Sequence, residues 1–296
     1  MSEICRWLEQ LAPPALSESW DNTGLLLGDP AAKVQRLMTC LTLTPHSVAE
    51  AIESQADMVV AHHPLPFKAI SKLTTQTQTG RMLWDLARAG VSVYSPHTAW
   101  DSARRGINAR LALLLGLQDC QPIIPLTSSA PPSSPHTSAR TDAATSEAGS
   151  GYPMSADSAH ESELGAGRIG TLTAPLSLRG IKEILCERVS DCRPRGVDGG
   201  QPINRVAVAC GSGGSLLQAA LSNRHCDLFL TGEATFHTCL EAQAAGISLL
   251  MIGHFASERF AMVQMASEMQ QAYTQLHIWA SHRERDPVED LTRRMP

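Results

Sequence analysis

The sequence predicts an α/β protein composed of two similar lobes. Short apolar runs typical of strands alternate with helix-like segments along most of the chain. The same alternation occurs in both halves, and a segment poor in large apolar residues separates them. At 296 residues the chain also exceeds the usual size of a single domain. We therefore expect an N-terminal lobe over residues 1–126 and a C-terminal lobe over residues 168–296.

Each half supplies three strand-like runs interleaved with helices. In the first half, strands are expected at 37–43, 57–63 and 91–95, and helices at about 45–55, 80–89 and 104–115. In the second half, strands are expected at 205–210, 226–230 and 247–252, and helices after the glycine-rich turn 211–214, at about 235–245 and at 256–276.

The segment between the lobes, residues 127–167, consists mainly of Ser, Ala, Pro, Thr and Gly. Such a composition cannot bury enough apolar surface to offset the entropy lost on ordering. We therefore expect a low-complexity, disordered insertion. His136 and His160 lie within it and are expected to be solvated rather than to bind a metal.

Composition excludes several classes of function. The net charge is -5 and no stretch is dense in Lys and Arg, which argues against direct nucleic-acid binding. The eight cysteines form no C-x-x-C pair and are expected to be reduced thiols. No apolar run approaches the ~18 residues that span a bilayer, and the N-terminus lacks the pattern of a signal peptide. We therefore expect a cytoplasmic protein without a membrane partner.

The adjacent histidines His62 and His63 end an apolar strand-like run, and Pro64 stops the strand from continuing. Successive strand residues point to opposite faces, so this pair is better arranged to give one ligand to each of two ions than two ligands to one ion. The alternative is a pair of histidines hydrogen-bonded to backbone carbonyls. The strand-end position and Pro64 favour the metal-binding interpretation.

Two further strand ends carry residues that bind metals. His97 and Asp101 follow the strand at 91–95, and His254 and Glu258 follow the strand at 247–252. Residues four apart on a helix lie about 6 Å from one another on one face. Since a carboxylate can bridge two cations, Asp101 and Glu258 are candidate bridges and the histidines candidate terminal ligands.

Alternatives remain for each of these residues. Glu258 could be an acidic residue that the helix dipole stabilises, and Asp101 could cap the helix after it. The interval from His97 to Asp101 is expected to be an irregular turn, so His97 could instead support a neighbouring ligand or face the substrate. Glu233 and His237 follow another strand and could line the site or cap a helix. The turn at 20–24 could line a pocket or be an ordinary turn. The turn at 211–214 follows a strand and opens a helix, so it could hold an anion at the helix N-terminus or be a plain tight turn.

Three strand ends with such residues predict a dinuclear metal site. Two divalent cations roughly 3.5 to 4 Å apart can activate water and polarise a phosphoryl or carbonyl oxygen, so hydrolysis is the natural hypothesis. Histidine and carboxylate ligands suit Zn, Mn, Fe, Co and Ni alike, which leaves the metal open.

The assembled motifs resemble those of the GTP cyclohydrolase 1 type 2 homologues, also called NIF three-like proteins. They occur in the same order over nearly the whole chain outside the insertion. The matching segments are 19–24 (SWDNTG), 61–64 (AHHP), 96–101 (PHTAWD), 211–214 (GSGG), 231–233 (TGE) with His237, and 253–258 (GHFASE).

The resemblance implies two three-layer-like α/β lobes with a dinuclear metal site between them, and a toroidal homohexamer built as a trimer of dimers. The implied metal ligands are His62, His63, Asp101, His254 and Glu258. The chain departs from the family in having threonines at 42 and 44, where members often have Asp, and a low-complexity segment where many have an ordered domain.

Two hypotheses for function follow. The leading one is a metal-dependent hydrolase, GTP cyclohydrolase-like or a phosphoesterase, that acts on a nucleotide or another phosphorylated small molecule, with His97, Glu233 and His237 as candidate catalytic residues. The rival is a non-catalytic protein for metal delivery, sensing or protein interaction. No sequence feature identifies a guanine pocket.

Overall fold

The computed structural model describes residues 1–126 and 164–289. Its mixed architecture of sheets and helices confirms the predicted α/β class. Residues 127–163, and with them His136, His160 and most of the predicted insertion, lie outside the described part. Among the described residues, no helix combines the length and the apolarity that crossing a bilayer requires.

The helices and strands alternate as follows. The helices are α1 (Ser2–Leu11), α2 (Pro45–Glu53), α3 (Gln78–Arg88), α4 (His97–Ser102), α5 (Ile107–Leu114), α6 (Leu178–Arg188), α7 (Leu217–Arg224), α8 (Phe236–Ala244) and α9 (His254–Ala272). The strands are β1 (Gly24–Leu27), β2 (Arg36–Cys40), β3 (Met58–Ala61), β4 (Ser92–Ser95), β5 (Gln118–Gln121), β6 (Ile124–Pro125), β7 (Gly165–Ala166), β8 (Arg168–Leu176), β9 (Arg195–Val197), β10 (Ile203–Ala209), β11 (Leu228–Thr231), β12 (Ser248–Met251) and β13 (His277–Ala280). Short 3-10 helices form at Pro14–Leu16 and Gly213–Leu216.

The first sheet has the strand order β1-β4-β3-β2-β13, with β1 antiparallel to its neighbour and the other pairs parallel. Its central strands β2, β3 and β4 are buried almost throughout because helices cover both faces of the sheet. Leu37 packs with residues of α1 and α9, whereas the next residue, Met38, packs with residues of α2 and α3. The sheet is therefore the middle of three layers.

The second sheet has the order β5-β8-β10-β11-β12-β9, with a parallel centre of β10, β11 and β12. Strand residues again alternate between two clusters. Val206 joins a cluster with α5 and α6, and Ala207 joins one with α7 and α8. A second three-layer arrangement results, while the short β6 and β7 pair with each other at its side.

The sheets do not follow the expected boundary between residues 1–126 and 168–296. Strand β13 near the end of the chain pairs with β2 of the first sheet, and β5 from the first half pairs with β8 of the second. The reason lies in α9, whose Met262 and Met265 pack in the same core cluster as Leu37 and Met58. This packing returns the chain to the edge of β2.

Candidate metal centre

His62 and His63 lie directly after β3, where their backbone remains fixed by the sheet. Their amides donate to Cys40 O at 3.1 Å and Leu41 O at 2.9 Å, and Ser95 Oγ donates to His62 O at 2.6 Å. The two ring centroids lie only 5.1 Å apart. Strand alternation predicts a wider separation, but both residues follow the last strand residue, Ala61. The two rings therefore lie beside each other rather than on opposite faces of the sheet.

His97, the first residue of α4, brings a third imidazole to this pair. Its ring centroid lies 5.2 Å from that of His62 and 5.7 Å from that of His63. One ligand atom from each of the three lies within 4.8 Å of the others, so they form a group that could hold a metal ion. Asp101, one helical turn after His97, places Oδ1 3.6 Å from His62 Nε2. The expected irregular turn is thus a helix.

A second group combines residues that follow strands of the two sheets: His63 after β3, and His254 and Glu258 after β12. Glu258 Oε2 lies 3.3 Å from His63 Nε2 and 3.1 Å from His254 Nε2. The two imidazole Nε2 atoms are 3.4 Å apart. His63 belongs to both groups, so the groups adjoin through one shared side chain.

The start of α9 explains how Glu258 reaches this second group. Gly253 adopts a φ of +96° just before the helix, and His254 and Glu258 then occupy one face a turn apart. Gly211 lies against this turn, where a Cβ would stand 2.1 Å from Glu258 Oε1. Its amide donates to Ser257 Oγ at 2.9 Å. The turn at 211–214 therefore packs on the centre, and glycine is required there.

Thr42 fixes the orientation of His63. Its hydroxyl lies 2.7 Å from His63 Nδ1, and its amide donates to Glu284 Oε1 at 2.6 Å. This contact leaves Nε2 facing Glu258 and His254. In the sequence Thr42 stands out only as a departure from the family pattern, although it follows β2 as the histidines follow their strands.

Asp21 fixes His97 in a similar way. Asp21 Oδ1 lies 2.7 Å from His97 Nδ1, while Oδ2 accepts from the Thr98 amide at 3.1 Å and from the Thr98 hydroxyl. Although burial opposes ionisation, the contacts with Thr98 and His97 lower the pKa of Asp21. Burial lowers the pKa of His97 despite the nearby carboxylate. The turn at 20–24 is thus part of the site.

The pKa values of the two carboxyl groups of the centre, Asp101 and Glu258, are shifted in opposite directions. Burial, and then the charge of Glu258, raise the pKa of Asp101 well above its usual value. Burial also disfavours ionisation of Glu258, but the imidazoles of His254 and His63 outweigh it and hold that pKa far below its usual value. His254 is desolvated, yet Glu258 and Glu233 raise its pKa to about 9. The carboxylate charge of Glu258 and the charge of the neighbouring imidazoles therefore stabilise each other.

Of the two remaining candidate residues, Glu233 contacts the centre and His237 does not line the cleft beside it. Glu233 Oε2 lies 3.4 Å from His254 Nδ1 and accepts from Ser212 Oγ at 3.0 Å, so it contacts the centre. His237 is exposed on α8, where its ring lies 5.8 Å from that of Phe236. It does not line the cleft beside His254, and its catalytic role stays a prediction.

The donor set fits metal ions. In the described chain, His62 Nδ1 and Glu258 Oε2 are buried without a hydrogen bond of regular geometry, which is costly for polar atoms that stay unpaired. Imidazole nitrogen and carboxylate oxygen are ligands for divalent transition metals. A cleft of about 1620 Å³ opens from His63, His254 and Glu233 and gives a small molecule access to the centre.

Comparison with known proteins identifies the family. The model of the family described as Duf34/NIF3 (NGG1p interacting factor 3) matches residues 1–287. A "GTP cyclohydrolase 1 type 2 homolog" of Clostridium perfringens is 28% identical over 297 residues, with 98% of each chain covered. A "Protein NIF3 homolog" of Schizosaccharomyces pombe is 32% identical over 268 residues, covering 87% of this chain and 84% of the relative.

Solved structures show the same fold. A Bacillus cereus protein related to NIF3 superposes with a TM-score of 0.77 at 21% identity, with 98% of each chain covered. Reduced HcgD from Methanocaldococcus jannaschii gives a TM-score of 0.70 at 22% identity, covering 94% of this chain and 96% of the other. At these identities the likeness shows the fold alone. The family match over residues 1–287 establishes that the chain belongs to the Duf34/NIF3 family.

Proposed function

We propose that the centre binds two divalent metal ions and hydrolyses a nucleotide or another phosphorylated small molecule. The observation that carries this proposal is the pair of adjoining ligand groups that share His63. The proposed ligands are His62, His63, Asp101, His254 and Glu258, with His97 at the edge of the first group. The nucleotide class is supported by the name of the relatives called GTP cyclohydrolase 1 type 2 homologues.

Bound divalent cations would supply Lewis acidity, which polarises a phosphoryl or carbonyl oxygen and acidifies water. The surrounding residues position this chemistry. Thr42 orients His63 through Nδ1, and Asp21 holds the His97 ring by Nδ1 beside the rings of His62 and His63. Because burial keeps the pKa of His97 below its usual value, its neutral ring is available to accept a proton near pH 7.

Glu233 is proposed to act at the open side of the centre. Its side chain remains largely exposed while Oε2 contacts His254 Nδ1. A carboxylate at this position stabilises the orientation of the His254 ring, as carboxylates commonly do for metal-binding histidines. It also lines the cleft through which a substrate would enter.

The direct test is turnover by metal-loaded protein. We expect consumption of at least one compound in a panel of nucleotides and phosphoesters, followed by chromatography of the products. His63→Ala should abolish turnover because His63 belongs to both groups. His46→Ala, which removes an exposed imidazole from α2, is the matched control and should retain it.

The rival is a non-catalytic role in metal delivery, sensing or protein interaction. It is favoured by the family description, which names a factor that interacts with another protein. If loaded protein consumes no compound in the panel yet passes its metal readily to a chelator, the rival replaces the hydrolase proposal.

The proposed assembly is a homohexamer, a trimer of dimers, as the family resemblance implies. Light scattering coupled to size-exclusion chromatography would then give a mass of about six chains of 31.8 kDa each. The cytoplasmic location and the lack of direct nucleic-acid binding stay predictions.

A further inference from the structure

Two aromatic side chains lie exposed beside the metal centre. Trp20 is 60% exposed and Phe67 is 49% exposed, although large aromatic residues usually bury most of their surface. Their ring centroids are 5.9 Å apart, with 36° between the ring planes. The two rings therefore form one apolar patch, which we call the Trp20–Phe67 pair.

The Trp20–Phe67 pair is continuous with the first ligand group. The ring centroid of His97 lies 6.1 Å from that of Trp20 and 5.8 Å from that of Phe67. The centroid of the same imidazole lies 5.2 Å from that of His62 and 5.7 Å from that of His63. One molecule resting on the pair can consequently extend past His97 to the centre.

Polar contacts fix the loops that carry the pair. Asn22 Nδ2 donates to Pro66 O at 2.8 Å, which joins the turn after Trp20 to the loop before Phe67. Asp21 accepts from His97 and Thr98, and the Glu18 amide donates to Thr98 Oγ1 at 3.0 Å. The exposed rings thus lie on a braced surface rather than on free loops, and this preorganisation lowers the entropic cost of binding.

We infer that the Trp20–Phe67 pair is a stacking subsite for a planar heteroaromatic ring of the substrate, whose phosphate group lies toward the metal centre. The inference rests on the proposed function and adds that the substrate must carry a planar heteroaromatic ring. A flat apolar ring matches the face of an aromatic side chain, whereas a sugar phosphate alone would leave the pair uncovered. Stacking of a base on an aromatic side chain contributes about 1–3 kcal/mol.

The test compares two phosphorylated probes, one with a heteroaromatic base and one without. Guanosine 5′-monophosphate carries a base and ribose 5-phosphate does not, and their dissociation constants are measured by calorimetry with metal-loaded protein. We expect tighter binding of the nucleotide. Trp20→Ala and Phe67→Ala should each weaken nucleotide binding by about 5- to 150-fold, which corresponds to that stacking energy, and leave ribose 5-phosphate binding unchanged.

Trp84→Ala is the matched control, since Trp84 is 43% exposed on α3 and makes no ring contact with His97 in the described chain. Equal binding of the two probes, or unchanged nucleotide binding in both variants, would overturn the inference. So would a Trp20→Ala variant of altered oligomeric mass, because the pair would then be an interface between copies.

The experiments can contradict the stacking subsite and the proposed hydrolase function independently of each other. Nucleotide binding that depends on Trp20 in a protein without turnover would support the subsite and contradict the hydrolase. Turnover of a phosphorylated compound with no dependence on Trp20 or Phe67 would contradict the subsite and support the hydrolase.

Discussion

Two glutamates that are equally buried have different surroundings in the two regions of the molecule where they lie. Glu50 and Glu258 are each 4% exposed. Glu50 accepts from Ser281 Oγ at 2.6 Å, from the His282 amide at 2.8 Å and from the Arg283 amide at 3.0 Å. Glu258 instead faces two imidazoles, and its Oε2 lacks a regular hydrogen bond in the described chain.

The difference lies in the partners rather than in burial. Backbone amides and a hydroxyl hold the Glu50 carboxylate and anchor the segment after β13 to α2. The partners of Glu258 are themselves groups that bind metals. A buried acid with only structural donors therefore indicates a fold contact, whereas one surrounded by imidazoles indicates a ligand site. The first two predictions test this distinction directly.

Glu258→Gln should have the largest effect. The amide keeps the shape of the side chain but loses the negative charge that binds a cation, so we expect metal affinity to fall by at least about 100-fold. Equilibrium dialysis with elemental analysis measures the change. Unaltered affinity in the folded variant would contradict the assignment of Glu258 as a ligand.

Glu50→Gln should instead reduce stability. Replacing an acceptor that receives three hydrogen bonds is expected to lower the free energy of unfolding by about 1–3 kcal/mol, measured by denaturant titration. Metal content should be unchanged. If Glu50→Gln lost metal without losing stability, the purely structural role of Glu50 would be contradicted.

The stabilising effect of Glu50 should also depend on pH. Burial opposes ionisation, but the amides of His282 and Arg283 and the Ser281 hydroxyl lower its pKa below the ordinary value of 4.5. Its contribution is therefore complete above pH 4.5 and declines as the pH falls through the lower folded-state pKa. The difference in stability between the native chain and Glu50→Gln should shrink over that range, and a difference that grows on acidification would contradict the sign.

Thr42→Val should have the smallest effect. It removes the hydroxyl beside His63 Nδ1 but no ligand, so we expect metal affinity to fall by about 10-fold. Thr44→Val is the matched control, because the Thr44 side chain caps α2 and should affect stability without affecting metal binding. Equal losses of metal affinity in both variants would contradict the proposal that the Thr42 hydroxyl supports metal binding through His63.

The strand ends of the site were predictable from the sequence. His62, His63, His254 and Glu258 follow apolar runs, and ligands in α/β folds bind at the carboxyl ends of parallel strands. The same rule places His97 and Asp101 after β4, although the helix that presents them was expected to be an irregular turn.

The supporting contacts were not predictable, because they join distant parts of the chain. Asp21 contacts His97 across 76 positions, and Thr42 contacts Glu284 across 242. Strand β13 has the same difficulty: its four residues carry little pattern, and its place beside β2 depends on the packing of α9. Local periodicity contains no information on such pairings.

The most direct test of the dinuclear centre is its metal stoichiometry. Protein freed of metal would be dialysed against a saturating supply of Zn or Mn, and metal and protein would be quantified together. We expect two ions per native chain and a loss of bound metal in Glu258→Gln. Native protein that takes up one ion or none would contradict the dinuclear centre.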